Sequence, residues 1–203
     1  MNSSCVAFKL CNKVDKSPVG HTNITCHLIF DLKLDMTCKA QYVAGGNLND
    51  FPTYMNYSSV VSHDTACIVL LMDDLNNLDV LAGGIQNALL EAPVKENIFF
   101  YEGYKRKADK YKVVIVVRAL YGIESSSLQF RNCLAENLGN QIGYKSYLDD
   151  PDIWYKPISD ADGFEYYTYT LVYVENILLI MKYPKGDMAH IQERFTVKSS
   201  SIK

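Results

Sequence analysis

Phe164-Glu165-Tyr166-Tyr167-Thr168-Tyr169-Thr170-Leu171-Val172-Tyr173-Val174-Glu175-Asn176-Ile177-Leu178-Leu179-Ile180-Met181-Lys182 is a pair of apolar arms that meet at Glu175 and Asn176. Tyr, Thr, Val, Ile and Leu fill both arms, and such side chains suit a pleated, half-buried surface. The acid and the amide between them are turn formers, so the stretch predicts a β-hairpin with a polar tip. A hairpin of this kind lifts one or two carboxylates out of a sheet toward a metal ion.

Other segments lie outward from it in a definite order. They are Lys39-Ala40-Gln41-Tyr42-Val43-Ala44, Tyr57-Ser58-Ser59-Val60-Val61, Ile85-Gln86-Asn87-Ala88-Leu89-Leu90, Ala119-Leu120-Tyr121-Gly122-Ile123 and Gly143-Tyr144-Lys145-Ser146, followed by Asp150 and Asp152. Taken together with the tip Tyr173-Val174-Glu175-Asn176, the series resembles the reverse transcriptase domain of copia-type LTR retrotransposons. The family writes Lys-Ala-Arg-Leu-Val-Ala for the first segment, Phe-Ser-Pro-Val-Val for the second and Tyr-Val-Asp-Asp for the tip. The likeness covers about residues 24 to 202.

Composition sets the frame for that likeness. A chain of 203 residues with 48% hydrophobic and 21% charged side chains is ordinary for a globular protein with a real core. The longest apolar runs fall short of the roughly 18 residues that span a bilayer, and the N-terminus has no basic start followed by an apolar core. The expectation is an intracellular, non-secreted chain with no membrane partner. Six cysteines without a Cys-x-x-Cys pair predict free thiols. A formal net charge of −3 argues against a stand-alone nucleic-acid binder, since duplex affinity comes largely from Lys and Arg.

Along the chain, residues 1 to 23 have little periodicity and are expected to be a poorly ordered lead-in. Strands are predicted from Ile29 to Leu34 and from Lys39 to Ala44, with Asp35-Met36-Thr37 as their turn and Gly45-Gly46 closing the pair. Ser62 or Asp64 caps a helix reaching about Asn76, its apolar density facing the core. Leu78 to Leu90 predicts a strand followed by a short helical turn. Lys105 to Lys112 is a dense cationic cluster, and Val113 to Val117 a strand central in its sheet. A helix begins near Ser125 to Ser127, carries Phe130, Leu134 and Leu138 on one side and stops at Gly143. Asp150 and Asp152, beside Pro151, are expected to be solvated loop acids, and Asp160-Ala161-Asp162-Gly163 a turn. Met188, Ile191 and Phe195 mark a last amphipathic helix.

The resemblance implies an α+β fold, the fingers and partial palm of a right-hand polymerase, mostly antiparallel sheet with packed helices. It implies a fingers-like part at 24–77 and a palm-like part at 78–203 that includes some fingers strands and stops before the primer-holding hairpin and thumb. It further implies an RNA-directed DNA polymerase ancestry, with Mg2+ as cofactor and an RNA or DNA template-primer and deoxynucleotides as partners. Carried over residue by residue, the three metal-binding aspartates fall on Gly84, Glu175 and Asn176. Lys39 matches a phosphate-gripping Lys, Gln41 stands at an Arg, Leu89 at an aromatic residue under the sugar, and Ser125 at a Gln near the incoming nucleotide. Asp79 does not replace Gly84, because five residues along a strand is about 16 Å and the opposite face.

Charge decides what such a site can do. Polymerase-type phosphoryl transfer uses two magnesium ions held by carboxylates. At an effective dielectric near 20, a carboxylate about 4 Å from a divalent ion contributes on the order of 8 kcal/mol of gross attraction. With only Glu175 left as a metal ligand, the expectation is a chain whose polymerase activity is lost. The alternatives are a non-catalytic nucleic-acid-binding or protein-interaction module, or a transposon remnant without a selected role.

Overall fold

The computed structural model describes residues 6–11, 17–34, 36–45, 58–102, 112–159 and 162–201. In chain order the elements are β1 (Phe8–Leu10), β2 (Thr22–Asn23), β3 (Cys26–Leu32), β4 (Cys38–Ala44), α1 (His63–Asn76), β5 (Asp79–Ile85), a 3-10 turn (Ala88–Glu91), β6 (Ile98–Glu102), β7 (Lys112–Val116), α2 (Ser126–Glu136) continued by a π-helical stretch (Asn137–Ile142), β8 (Lys145–Ser146), β9 (Ile153–Ser159), β10 (Glu165–Tyr173), β11 (Asn176–Met181), α3 (Pro184–Arg194) and β12 (Val197–Ser201). The chain is α+β with mostly antiparallel sheets. It divides into two units, Met1–Tyr57 with Leu89–Phe130 and Ser58–Ala88 with Arg131–Lys203. No helix among the described residues is long and apolar enough to cross a membrane.

In the first unit a four-stranded sheet has the order β1-β7-β6-β2, with only β2 and β6 parallel. β7 is an interior strand, and its unbroken Val113-Val114-Ile115-Val116 run follows from burial on both faces. The stretch 1 to 23, expected to be an unordered lead-in, contributes both β1 and β2 to this sheet. Phe8 sets its ring edge-on to Tyr42 and to Phe100, with centroids 5.6 Å away in each case. That anchor is a single aromatic residue with no periodicity around it, which is why pattern alone misses it. β3 and β4 form a separate antiparallel ladder with Leu32 opposite Cys38. Position 122 requires glycine on two counts, a φ of +90° and the 2.0 Å at which a Cβ there would stand from the Ala44 carbonyl oxygen. That close approach lets the Ala44 N–H donate to the Tyr121 carbonyl at 2.7 Å.

In the second unit six antiparallel strands lie in the order β12-β5-β11-β10-β9-β8. Alternation puts Val80, Leu171 and Ile180 on one face, in a core with Val69 of α1, while Met188 and Ile191 of α3 are buried on the other. Ser62 caps α1, its Oγ accepting from the Thr65 N–H at 3.1 Å. Only Val69 and Asp73 of that helix are buried, whereas Ile68, Leu71 and Leu75 are exposed. The expected inward-facing apolar density is therefore corrected: apolar residues surround the helix, and only a narrow stripe meets the sheet. α2 buries Phe130 and Leu134, and Gly143 ends the π-helical continuation at φ +86°, as the stop signal predicts.

Two further expectations change. Asp152 is buried and ionically paired, accepting from Arg131 Nε at 2.8 Å and from the Ser59 hydroxyl. Asp150 accepts from the Ser62 N–H at 3.1 Å. Asp152 is a structural tie, not a solvated loop end, whereas Asp150 keeps part of its surface in solvent. After α3 the chain forms β12, which pairs with β5. The five described cysteines, Cys11, Cys26, Cys38, Cys67 and Cys133, are free thiols. The cationic cluster apart from Lys112, together with Asp35, Gly46, Tyr57, Asp160 and Ala161, lies outside the described residues.

Candidate functional site

The tip of the β10–β11 hairpin organises the site. Tyr173 pairs with Asn176, so the loop is the two residues Val174 and Glu175, and Asn176 opens the second strand. Val174 has φ +55° and Glu175 does not share the positive sign. That sign pattern belongs to the type II′ turn, whose first loop position prefers glycine. The Ile85 N–H donates to the Glu175 carbonyl at 2.8 Å, holding the tip against the end of β5.

Register then assembles the row. Asn176 lies opposite Gly84 on one side of β5, and Lys198 lies opposite Gly84 on the other. Tyr173, Asn176, Gly84 and Lys198 thus form one rank across four strands and share a face. A Cβ at Gly84 would meet Asn176 Oδ1 at 3.3 Å, and the glycine has no positive φ, so this backbone accepts a larger side chain once the amide turns aside. Asp79 stands at the other end of β5, opposite Met181.

The structure brings Gly84, Glu175 and Asn176 together. Lys39 and Gln41 sit in the first unit on β4, with Lys39 opposite Asp31 and Gln41 opposite Ile29. On the other face of that ladder, burial pushes the Cys26 thiol up to about 11 and the Tyr42 hydroxyl up to about 12, the two sharing a hydrogen bond. Leu89 is buried in the 3-10 turn. Ser125 is fully buried, and its hydroxyl donates to Glu96 Oε2 at 2.7 Å, so it presents no free surface to a nucleotide.

A two-magnesium centre does not fit these residues. Magnesium takes near-octahedral oxygen ligands at about 2.0–2.1 Å. The tip offers one carboxylate, Glu175, and one amide oxygen, while Gly84 offers none. Among the described residues no group of three or more His, Cys, Asp and Glu stands close enough to hold a metal ion.

Above the rank, between the sheet and the first turn of α1, lies a cleft of about 650 Å³ lined by Ser62, His63, Ala82, Gly84, Tyr173 and Lys198 among others. Lys198 and His63 escape a sequence reading. Val197-Lys198-Ser199-Ser200-Ser201 has little β-propensity, and β12 is held by its backbone ladder with β5. His63 matters only through the position of α1.

Compared with known proteins, the chain matches no family model and no curated protein.

Proposed function

We propose that this chain is a reverse-transcriptase-like polymerase domain of copia type that has lost its metal centre and persists as a non-catalytic module. The observation that carries the reading is the register Asn176 opposite Gly84, with Glu175 in the adjacent loop. Three positions that the motif order assigns to metal-binding aspartates, 92 residues apart at the widest, converge on two neighbouring strands of an antiparallel sheet and the loop beside them. An accidental likeness of short motifs predicts no such convergence. Loss of catalysis follows from the donor set, because two missing carboxylates remove most of the attraction for divalent ions.

Primer extension on a primed template, with magnesium and then manganese, tests both halves. The native chain is expected to be silent. The variant Gly84→Asp, Glu175→Asp, Asn176→Asp is expected to bind magnesium more tightly by at least about tenfold, since each restored charge is worth several kcal/mol gross. Extension by the native chain would overturn the loss of catalysis. A triple variant that folds but gains no metal affinity would overturn the assignment of the three positions.

A further inference from the structure

We propose that the cleft over Gly84 is a binding site for a planar aromatic molecule carrying a single anionic group. Its volume of about 650 Å³ falls within the roughly 300–1,000 Å³ of small-molecule sites. One wall is the sheet and the other the start of α1, so the space between them suits a flat body. Gly84 has no side chain, which leaves a notch between the flanking strands of Asn176 and Lys198, about 10 Å apart at two strand spacings. The notch opens onto Ala82, Leu171 and Leu178 below, and the rings of Tyr173 and His63 line it as well. Apolar walls with a few polar groups at one end are the usual build of a site for an aromatic ligand.

Charge selects the anion. Among the described residues lining the cleft there is no carboxylate, and Lys198 is the ammonium at its rim. Lys198 has no ion-pair partner among the described residues. Asp150, near the cleft through Ser62, is bonded to that residue's N–H, Asp64 stands 3.6 Å from the His63 ring with its side chain exposed, and Glu175 is in the hairpin loop. An anionic group beside Lys198 receives a charged donor, and a neutral one from Asn176 once that amide, whose Oδ1 faces Gly84, turns its NH2 toward the notch, while the ring of the ligand covers the Gly84 backbone. The cleft and its charges are the same whether or not the chain descends from a polymerase.

Isothermal titration of the full chain with 2-naphthoate and with its neutral analogue 2-naphthylmethanol tests the site. Naphthoate is expected to bind about tenfold more tightly, the scale of one hydrogen bond to a charged group. Lys198→Met, at an exposed position, should bring naphthoate down to the level of the alcohol and leave the alcohol unchanged, and Lys198→Arg should keep the preference. Ala82→Leu should weaken both ligands. The proposal is overturned if neither ligand binds at millimolar concentration, if Lys198→Met leaves naphthoate binding intact, or if Ala82→Leu, with an unaltered melting midpoint, leaves both unaffected.

Discussion

Val174 pays for the shape of the hairpin tip, since a β-branched residue at φ +55° is held in a region that glycine occupies freely. Such a conformation costs about 1–2 kcal/mol for a residue with a Cβ, and glycine returns part of that as extra freedom in the unfolded chain. Val174→Gly is therefore expected to stabilise the chain by about 0.5–1 kcal/mol, read as a raised denaturant midpoint with an unchanged slope; a lowered midpoint would refute the strain. A second residue-scale effect belongs to Cys26, whose thiol burial pushes up from an ordinary value of 9.0 to about 11. The folded chain holds this proton longer than the unfolded one. The resulting stability is whole below about pH 9 and is lost as pH rises through about 11. Tyr42, up to about 12, extends the loss in the same direction. Unfolding midpoints measured from pH 8 to 11 should fall, and should fall less steeply in Cys26→Ala. At pH 8 iodoacetamide should reach the exposed Cys38 and Cys67 well before Cys26. Neither Val174 nor Cys26 announces itself in the sequence, because left-handed φ and burial of a thiol are imposed by pairing partners far along the chain.

Among elements, those with a strong period or a clear stop were legible: the hairpin arms, the Val113 run, α2 with Gly143, and the strand before Ile85. What failed were pieces held by something other than pattern. β12 has serines at three of its five positions and is fixed by the backbone of β5. β1 is three residues anchored by one ring. The Asp150-Pro151-Asp152 segment reads as a turn, and only the fold reveals that Asp152 draws in Arg131 of α2 and Ser59 ahead of α1. This tie carries a prediction. Asp152→Ala strands the Arg131 guanidinium, whose side chain is only 23% exposed, and breaking a buried pair from one side costs about 3–5 kcal/mol. Replacing both partners, Arg131→Met with Asp152→Leu, should cost less than the single change, since no uncompensated charge is left. Urea denaturation of the three chains measures this directly, and a single variant within about 0.5 kcal/mol of the native chain would mean that the pair is not a tie.

For the whole molecule, the resemblance carried the expectation that Gly84, Glu175 and Asn176 stand together, and the β5–β11 register places Asn176 opposite Gly84, whereas Lys198 was not legible, because its place depends on a strand that sequence does not signal. The same scale decides whether a non-catalytic module holds nucleic acid. A formal net charge of −3 gives no general attraction for phosphates, so binding must come from a local concentration of cations. The cluster Lys105, Arg106, Lys107, Lys110 and Lys112 is the densest in the sequence. If it tracks a single strand, each neutralised phosphate contributes about 0.7 to the slope of log affinity against log salt. Changing Lys105, Arg106, Lys107 and Lys110 to Gln should then flatten that slope by up to about 2.8. Lys198→Met, aimed at the cleft and not at a strand of phosphates, should leave it within about 0.7 of the native value. Fluorescence anisotropy with a labelled single-stranded oligonucleotide between 50 and 300 mM salt, on the order of the range over which counterion release is usually read, separates these outcomes. A native slope near zero would remove the nucleic-acid role from this module.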